Sequence, residues 1–148
     1  MKDYAHIKRL YENERVREYL GGPVDEVAYK VRFNEMLQSQ NAALHWIIRL
    51  RETEEFIGLV FLDTYHDDRD TEIGYQFLPD YWGKGYATEV INTILNFGVK
   101  TLGYSTIVAE TQTKNKASCR LLQKVGMQFE EELERFGHKQ SKFRLMKS

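Results

Sequence analysis

The sequence predicts an α/β (α+β) protein built on a mixed, largely antiparallel sheet, with its elements in the order α-α-β-β-β-α-β-α-β-β. Three observations lead there. The apolar period is helical from residue 4 to residue 38 and becomes two between residues 44 and 78. The three runs of period two are joined by short polar connections, as in an antiparallel meander. A strand–helix–strand unit follows, whose strands normally pair in parallel, and that makes the sheet mixed.

Each element has its own warrant. Residues from about Tyr4 to Leu20 place Ile7, Leu10, Tyr11, Val16 and Leu20 near a helical period, with a break expected near Asn13 and an end at Gly21-Gly22-Pro23. A second helix runs from about Val24 to Gln38, with Val27, Val31, Met36 and Leu37 among its apolar positions and acidic Asp25 and Glu26 in its first turn. The polar run Gln38-Ser39-Gln40-Asn41 reads as a loop. Strands follow at Leu44 to Leu50 and Phe56 to Leu62, joined through the charged stretch Glu52 to Glu55. A third lies at Thr71 to Leu78, after the polar loop Tyr65 to Asp70. A helix from about Tyr86 to Leu102 sets Ala87, Val90, Ile91, Ile94, Leu95 and Gly98 on one stripe and closes at Gly103. The strand Ser105 to Glu110 comes next, then a short helix from Asn115 to about Val125 ended by Gly126. A hairpin closes the chain, Met127 to Leu133 with Lys142 to Met146 about Phe136-Gly137-His138.

Composition bounds the function. At 148 residues the chain suits one domain, 1–148, with a single core. A net charge of −1 offers no bulk attraction to nucleic acid or to an anionic membrane. The single cysteine, Cys119, excludes an internal disulfide framework and fits a reducing compartment. With no signal-peptide pattern at the start and no apolar run long enough to span a bilayer, a cytoplasmic protein is expected. None of the histidines (His6, His45, His66, His138) stands in metal-ligand spacing with another or with Cys119, so no metal is expected.

Two stretches carry the chemistry. In Tyr81-Trp82-Gly83-Lys84-Gly85-Tyr86-Ala87-Thr88-Glu89 a glycine-rich loop opens into a helix. Such a junction presents unpaired N–H groups and the positive end of the helix dipole, a seat for a phosphate. Alone, it is equally a tight turn. The spacing is not that of a Walker A loop. Gly83-x-Gly85-x-x-Thr88 also lacks the third glycine of a dinucleotide fingerprint, and it follows an antiparallel meander. The second stretch runs from Asn115 to Met127. Taken alone it is explained by Asn115 as helix cap, Gly126 as terminator, and Lys116, Arg120 and Lys124 as a solvated face.

Taken together, Glu72-Ile73-Gly74-Tyr75, the run Pro79-x-Tyr81-Trp82-Gly83-Lys84-Gly85-Tyr86-Ala87-Thr88-Glu89, and Asn115-x-x-Ser118-x-x-Leu121-Leu122-x-x-x-Gly126 resemble the GNAT N-acetyltransferases. More narrowly, they resemble the branch that acetylates the N-terminal alanine or serine of ribosomal proteins. The resemblance spans roughly Trp46 to Met146. It implies a GNAT-like three-layer α/β/α fold and direct transfer of an acetyl group from acetyl-CoA, through a ternary complex, to a primary amine. The acceptor is either a protein N-terminus or a small amine.

The resemblance also assigns residues. The pyrophosphate of acetyl-CoA would lie on the backbone of Gly83, Lys84, Gly85, Tyr86, Ala87 and Thr88, with Trp82 standing where the family usually has Gln or Arg. Lys84 could add a point charge. The pantetheine arm would pair with the strand edge at Gln76, Phe77 and Leu78, and Asn115 would bond it as well. Lys114, Lys116 or Arg120 could lie near the 3′-phosphate. Glu72 is the expected base, directly or through a water, ahead of Asp70 and Asp68, and an N–H near Phe77 would face the oxyanion. An α-amine near pKa ~7.8 is already roughly 10% neutral at pH 7, against ~0.04% for a lysine, so an N-terminal acceptor asks less of that base.

Two departures stand out. Many family members carry a tyrosine seven residues after the asparagine as proton donor to the leaving thiolate; here that position is Leu122. Ser118 is the substitute the ribosomal-protein branch suggests. The sequence also begins within a few residues of its first helix, where the family usually has a strand. Either that strand is absent, or its place is taken by a partner chain such as a second copy in a homodimer, or the gene start lies upstream; in the first case a sheet edge is left open. The absent tyrosine keeps a second reading in play, a non-catalytic domain that senses acyl-CoA. Cys119 reads as a small core residue rather than a nucleophile.

Overall fold

The structure is a computed structural model that describes residues 2–38 and 43–146. Its elements are α1 (Lys2–Tyr11), α2 (Glu26–Leu37), β1 (Leu44–Arg49), β2 (Phe56–Thr64), β3 (Thr71–Phe77), α3 (Tyr86–Lys100), β4 (Thr106–Gln112), α4 (Lys116–Lys124), β5 (Gln128–Arg135) and β6 (His138–Met146), in the order the periodicity predicts. A single 3₁₀ turn, Pro79–Tyr81, leads from β3 toward α3. Of the loop expected at Gln38-Ser39-Gln40-Asn41, positions 39–41 lie outside the described residues.

Six strands form one mixed sheet in the order β1-β2-β3-β4-β6-β5. All neighbours are antiparallel except β3 and β4. Helices α3 and α4 cover one face, where Ile91, Leu95 and Leu122 pack on Val60, Leu62, Ile73 and Ile107. Helices α1 and α2 cover the other, with Ile7, Leu10, Tyr29 and Phe33 against Phe56 and Leu59. The result is the three-layer α/β/α arrangement. Among the described residues β1 is an edge strand of the sheet.

The first helix is shorter than its apolar spacing suggests. It ends at Tyr11, because Asn13 turns its side chain onto the backbone: Oδ1 accepts from the N–H groups of Arg15 (2.9 Å) and Val16 (3.0 Å). Asparagine offers the chain this alternative to a helix wherever it can form an Asx turn. Residues 12–22 make a lip instead. Arg17 is buried beneath it, with Nε donating to the Gly22 carbonyl (3.0 Å) and Nη2 to that of Leu20 (2.7 Å). Gln112 of β4 ties the lip down through the Tyr19 carbonyl (3.0 Å).

The terminal hairpin runs further toward its tip than expected. Arg135 pairs directly with His138, leaving a two-residue turn in which Phe136 and Gly137 both have positive φ (55° and 75°). That geometry matches the twist of the strands and needs no longer loop.

The feature that positions the site is the parallel pair. β3 and β4 are in register only at Thr71↔Ile107 and Glu72↔Val108. Both strands continue, to Phe77 and Gln112, without pairing further with each other. The sheet therefore parts at its centre into a V whose walls are the free edges of β3 and β4.

Candidate active site

One wall of the V is β3. The Leu78 N–H donates to the Ile57 carbonyl (2.9 Å), so Leu78 and, by strand alternation, Gln76 turn their backbone groups toward β2. Phe77 and Tyr75 turn theirs toward the opening. Of the three positions expected to pair with a pantetheine arm, only Phe77 thus presents its main chain there, and Tyr75 takes the place given to Gln76. The Phe77 carbonyl already accepts from Trp82 Nε1 (2.8 Å), a bond that fastens the glycine loop to the end of β3.

At the mouth of the V, Gly83 and Gly85 have φ of 72° and 86°, a conformation that favours glycine. A Cβ at either would meet nothing within 4 Å. No side chain caps α3, whose N-cap is Gly85, and its first hydrogen bond runs from the Glu89 N–H to the Gly85 carbonyl (3.1 Å). The N–H groups of Tyr86, Ala87 and Thr88 therefore leave the helix end without an intrahelical partner. An open cradle with outward N–H groups fits a pyrophosphate. Lys84 is exposed, its amino group 6.0 Å from the Tyr81 ring centroid.

The other wall is β4 and the start of α4. Asn115 caps α4, its Oδ1 accepting from the Ser118 N–H (3.2 Å), and Gly126 ends the element with φ 95°. Lys114, Lys116 and Arg120 are exposed. Leu122, the position without the tyrosine, is fully buried in the main core. Cys119 packs against that core, and burial pushes its thiol up. A tyrosine does reach this wall, from the opposite side. Tyr75 of β3 meets Ser118 hydroxyl to hydroxyl at 2.5 Å. Only the pairing of distant elements reveals this contact; the sequence signal was a tyrosine in the same short motif as Glu72.

Glu72 lies at the root of the V, on the α1/α2 face. Burial is the main cause that raises its carboxyl to about 7, and the Glu110 charge adds to it while Arg135 opposes. Glu110, on β4, is enclosed: Tyr65 donates to Oε1 (2.5 Å), His66 Nε2 lies 3.0 Å from the same oxygen, and Arg135 Nη1 donates to Oε2 (2.9 Å). The other acidic candidates serve elsewhere. Asp70 is gripped by both terminal nitrogens of Arg144 (3.1 and 3.0 Å), and Asp68 is an exposed turn residue with φ 61°.

On the same face, a cleft of about 300 Å³ opens between α2 and the sheet. Its walls include Tyr11, Arg32, Glu35, His45, Asp63 and Gln76. Gln76 Oε1 is buried there without a hydrogen-bond partner. Burial lowers the His45 imidazole, with Asp63 opposing. Sequence reasoning had no handle on His45, Asp63 or Glu35, which come together only through strand register and helix placement.

A parted sheet beside an uncapped glycine loop agrees with the three-layer fold that the resemblance to the GNAT N-acetyltransferases implies, and comparison places the chain. The family model described as an acetyltransferase (GNAT) domain matches residues 1–128, so the chain belongs to the GNAT acetyltransferase family. It is an N-acetyltransferase of that family. It is 33% identical over 134 residues to the uncharacterized N-acetyltransferase YoaA of Bacillus subtilis (strain 168), covering 87% of this chain and 76% of that one. The uncharacterized N-acetyltransferase YnaD of the same organism is 30% identical over 129 residues, 87% of this chain and 75% of its own. Among solved structures, a GNAT-family acetyltransferase from Bacillus anthracis superposes with a TM-score of 0.83 at 23% identity, covering 98% of this chain and 89% of that one. Spermidine N-acetyltransferase from Vibrio cholerae, in complex with CoA and spermine, gives 0.84 at 21% identity, covering 98% and 90%.

Proposed function

We propose that this enzyme transfers the acetyl group of acetyl-CoA directly to a compact primary amine that enters from the α2 side. The observation that carries the reading is the parting of β3 and β4, with a carboxyl held near 7 at its root and an uncapped glycine loop at its mouth. When bound, acetyl-CoA supplies an activated thioester carbonyl. The N–H groups from Gly83 to Thr88 hold the pyrophosphate, and the free edge at Tyr75 and Phe77 receives the pantetheine as an added strand. Asn115 and Ser118, at the capped start of α4, would lie beside the thioester. Glu72 takes the proton of the attacking amine, and a β3 N–H at the opening faces the developing oxyanion.

For the acceptor, a small amine suits the cleft better than a protein N-terminus. The cleft holds only about 300 Å³, and beside Arg32, Leu59 and Phe61 its lining brings together Asp63, Glu35 and the unpartnered Gln76 oxygen, acceptors suited to an ammonium or amine. The structural neighbour from Vibrio cholerae acts on spermidine, which agrees with that choice. Among the described residues no helix is long and apolar enough to cross a membrane, and a cytoplasmic location fits the lone cysteine.

CoA release should be followed across a panel of small amines and N-terminal peptides at fixed acetyl-CoA. Turnover is expected with small primary amines. Tight CoA binding with no turnover on any amine would support the acyl-CoA sensor instead, and preference for peptides beginning with Ala or Ser would restore the ribosomal-protein acceptor.

A further inference from the structure

We infer that Tyr75 is a positioning residue for acetyl transfer: its hydroxyl holds the Ser118 hydroxyl across the opening so that the Ser118 proton is presented to the departing sulfur. The inference rests on reading the opening as the acetyl-CoA site.

Tyr75 lies three residues beyond the last β3–β4 pair, where the strands have already parted. Its side chain leaves β3 on the α3/α4 face and packs against the core there. Ser118 stands on the far wall, in the first turn of α4, its own N–H fixed by the Asn115 cap. The 2.5 Å contact between the two hydroxyls therefore bridges the gap into which a thioester would reach.

Two hydroxyls carry two protons, and only one proton can lie on the line between the oxygens. A phenol is far more acidic than an aliphatic alcohol, which makes Tyr75 the donor and Ser118 the acceptor. Ser118 then keeps its own proton for a third partner. Without the phenol, a serine within a helix turns its hydroxyl back onto a carbonyl of the preceding turn, and its proton is lost to the site.

The step balances without a proton from Tyr75. The amine nitrogen bonds to the thioester carbon and gives its proton to Glu72; the carbon–sulfur bond breaks and its electron pair goes to sulfur. Ser118 stabilises that thiolate by a hydrogen bond, and the released thiolate takes its proton from water. Burial, opposed by the Ser118 hydrogen bond, holds the Tyr75 hydroxyl at about 12, too weak an acid to protonate a thiolate whose thiol has a pKa of ~8.5.

The test compares Tyr75→Phe, Ser118→Ala, the double variant and Ser118→Thr, with kcat and both KM values measured for each. A hydrogen bond to a forming charge predicts that kcat falls about tenfold or more in Tyr75→Phe and in Ser118→Ala. KM for acetyl-CoA should stay within about twofold in both, and the double variant should be no worse than Ser118→Ala, since Tyr75 acts only through Ser118. Ser118→Thr, which keeps a hydroxyl beside Tyr75, should retain most of kcat. A hydroxyl that only braces the fold would lower the melting temperature and raise KM, with losses that multiply in the double variant, and that pattern overturns the inference. So does Tyr75→Phe at wild-type kcat. A wild-type chain that binds CoA yet acetylates nothing overturns the transfer reading itself, and this inference with it.

Discussion

The donor half and the acceptor half of this site are built in different ways. On the donor side the binding groups belong mainly to the backbone: the N–H groups at the start of α3, the free edge at Tyr75 and Phe77, and the capped start of α4. All of them lie within two short stretches of chain. On the acceptor side the groups are side chains drawn from α2, β1, β2 and β3, with Glu110 of β4 behind them. A backbone site requires unusual conformations, and these write glycine into neighbouring positions. A side-chain site requires only that strands meet in the right register, which leaves no local mark. The donor half is therefore rigid and recognisable, while the acceptor half is free to differ between relatives without disturbing it.

The largest expected effect falls where the halves meet, at Glu72. Below pH 7 its carboxyl is protonated and cannot accept the amine's proton, so kcat/KM should rise through a limb near pH 7. Glu72→Gln should remove that limb and lower kcat/KM at pH 8 by on the order of 10²–10⁴. An undiminished value there would exclude Glu72 as the base. Stability should move the opposite way. The carboxyl is raised from 4.5 to about 7 on folding, so its contribution is complete below about pH 4.5 and is lost as pH rises through 7. Forcing the charge on at pH 8 costs up to about 3 kcal/mol. The neutral glutamine should accordingly melt higher than the wild type at pH 8, with the gap closing at pH 5.

Next in size is Gly85→Val, which probes the donor half alone. A branched side chain at φ 86° is strained by about 1–2 kcal/mol, and its methyl groups would project into the open cradle. KM for acetyl-CoA should rise more than about tenfold while KM for the amine holds, as expected when a contact to one substrate is blocked. Gly74 sharpens the contrast. A Cβ there would sit 2.1 Å from the Phe61 ring, so Gly74→Ala should lower the melting temperature by displacing that ring, without singling out acetyl-CoA.

How much of this was legible follows the same division. The stripe Ile91, Ile94, Leu95 and Gly98 announced α3, and period two announced β1 to β3, because one buried face imposes its repeat on the sequence. The glycine loop and the Asn115 cap were legible for a local reason too. The lip at residues 12–22 was not: Val16 and Leu20 continue the apolar spacing, and Arg17 beneath them looks like any surface arginine until it is seen to bind two carbonyls. The direction of the β3 backbone at Gln76 and Leu78 depends on pairing with β2, which no spacing encodes. Tyr75 needed α4 to be placed before its partner existed.

A smaller effect is expected from Gln76→Leu in the acceptor half. The buried Oε1 lacks a partner, so the substitution removes an unsatisfied group and should leave stability unchanged or slightly improved. If the acceptor amine supplies the missing donor, losing that hydrogen bond costs about 0.5–1.5 kcal/mol and raises the amine KM roughly two- to tenfold. KM for acetyl-CoA should hold. An unchanged amine KM would mean that the amine does not reach this oxygen and enters elsewhere.

The smallest effect tests whether the two halves are as separate as they look. Arg15, on the lip of the acceptor side, lays its guanidinium 5.0 Å from the ring centroid of Trp82, which fastens the glycine loop to β3. At an exposed site such a contact is worth about 0.5–1 kcal/mol. Arg15→Ala should therefore raise KM for acetyl-CoA by about two- to fivefold, with kcat unchanged, if the contact serves only to steady the loop. Should the amine KM rise by the same factor, the lip and the loop would be ordering one another, and binding of either substrate should then tighten the other by that factor. Calorimetric titration of CoA with and without the amine separates the two outcomes, because reciprocal coupling must appear in binding and cannot arise from the loop alone.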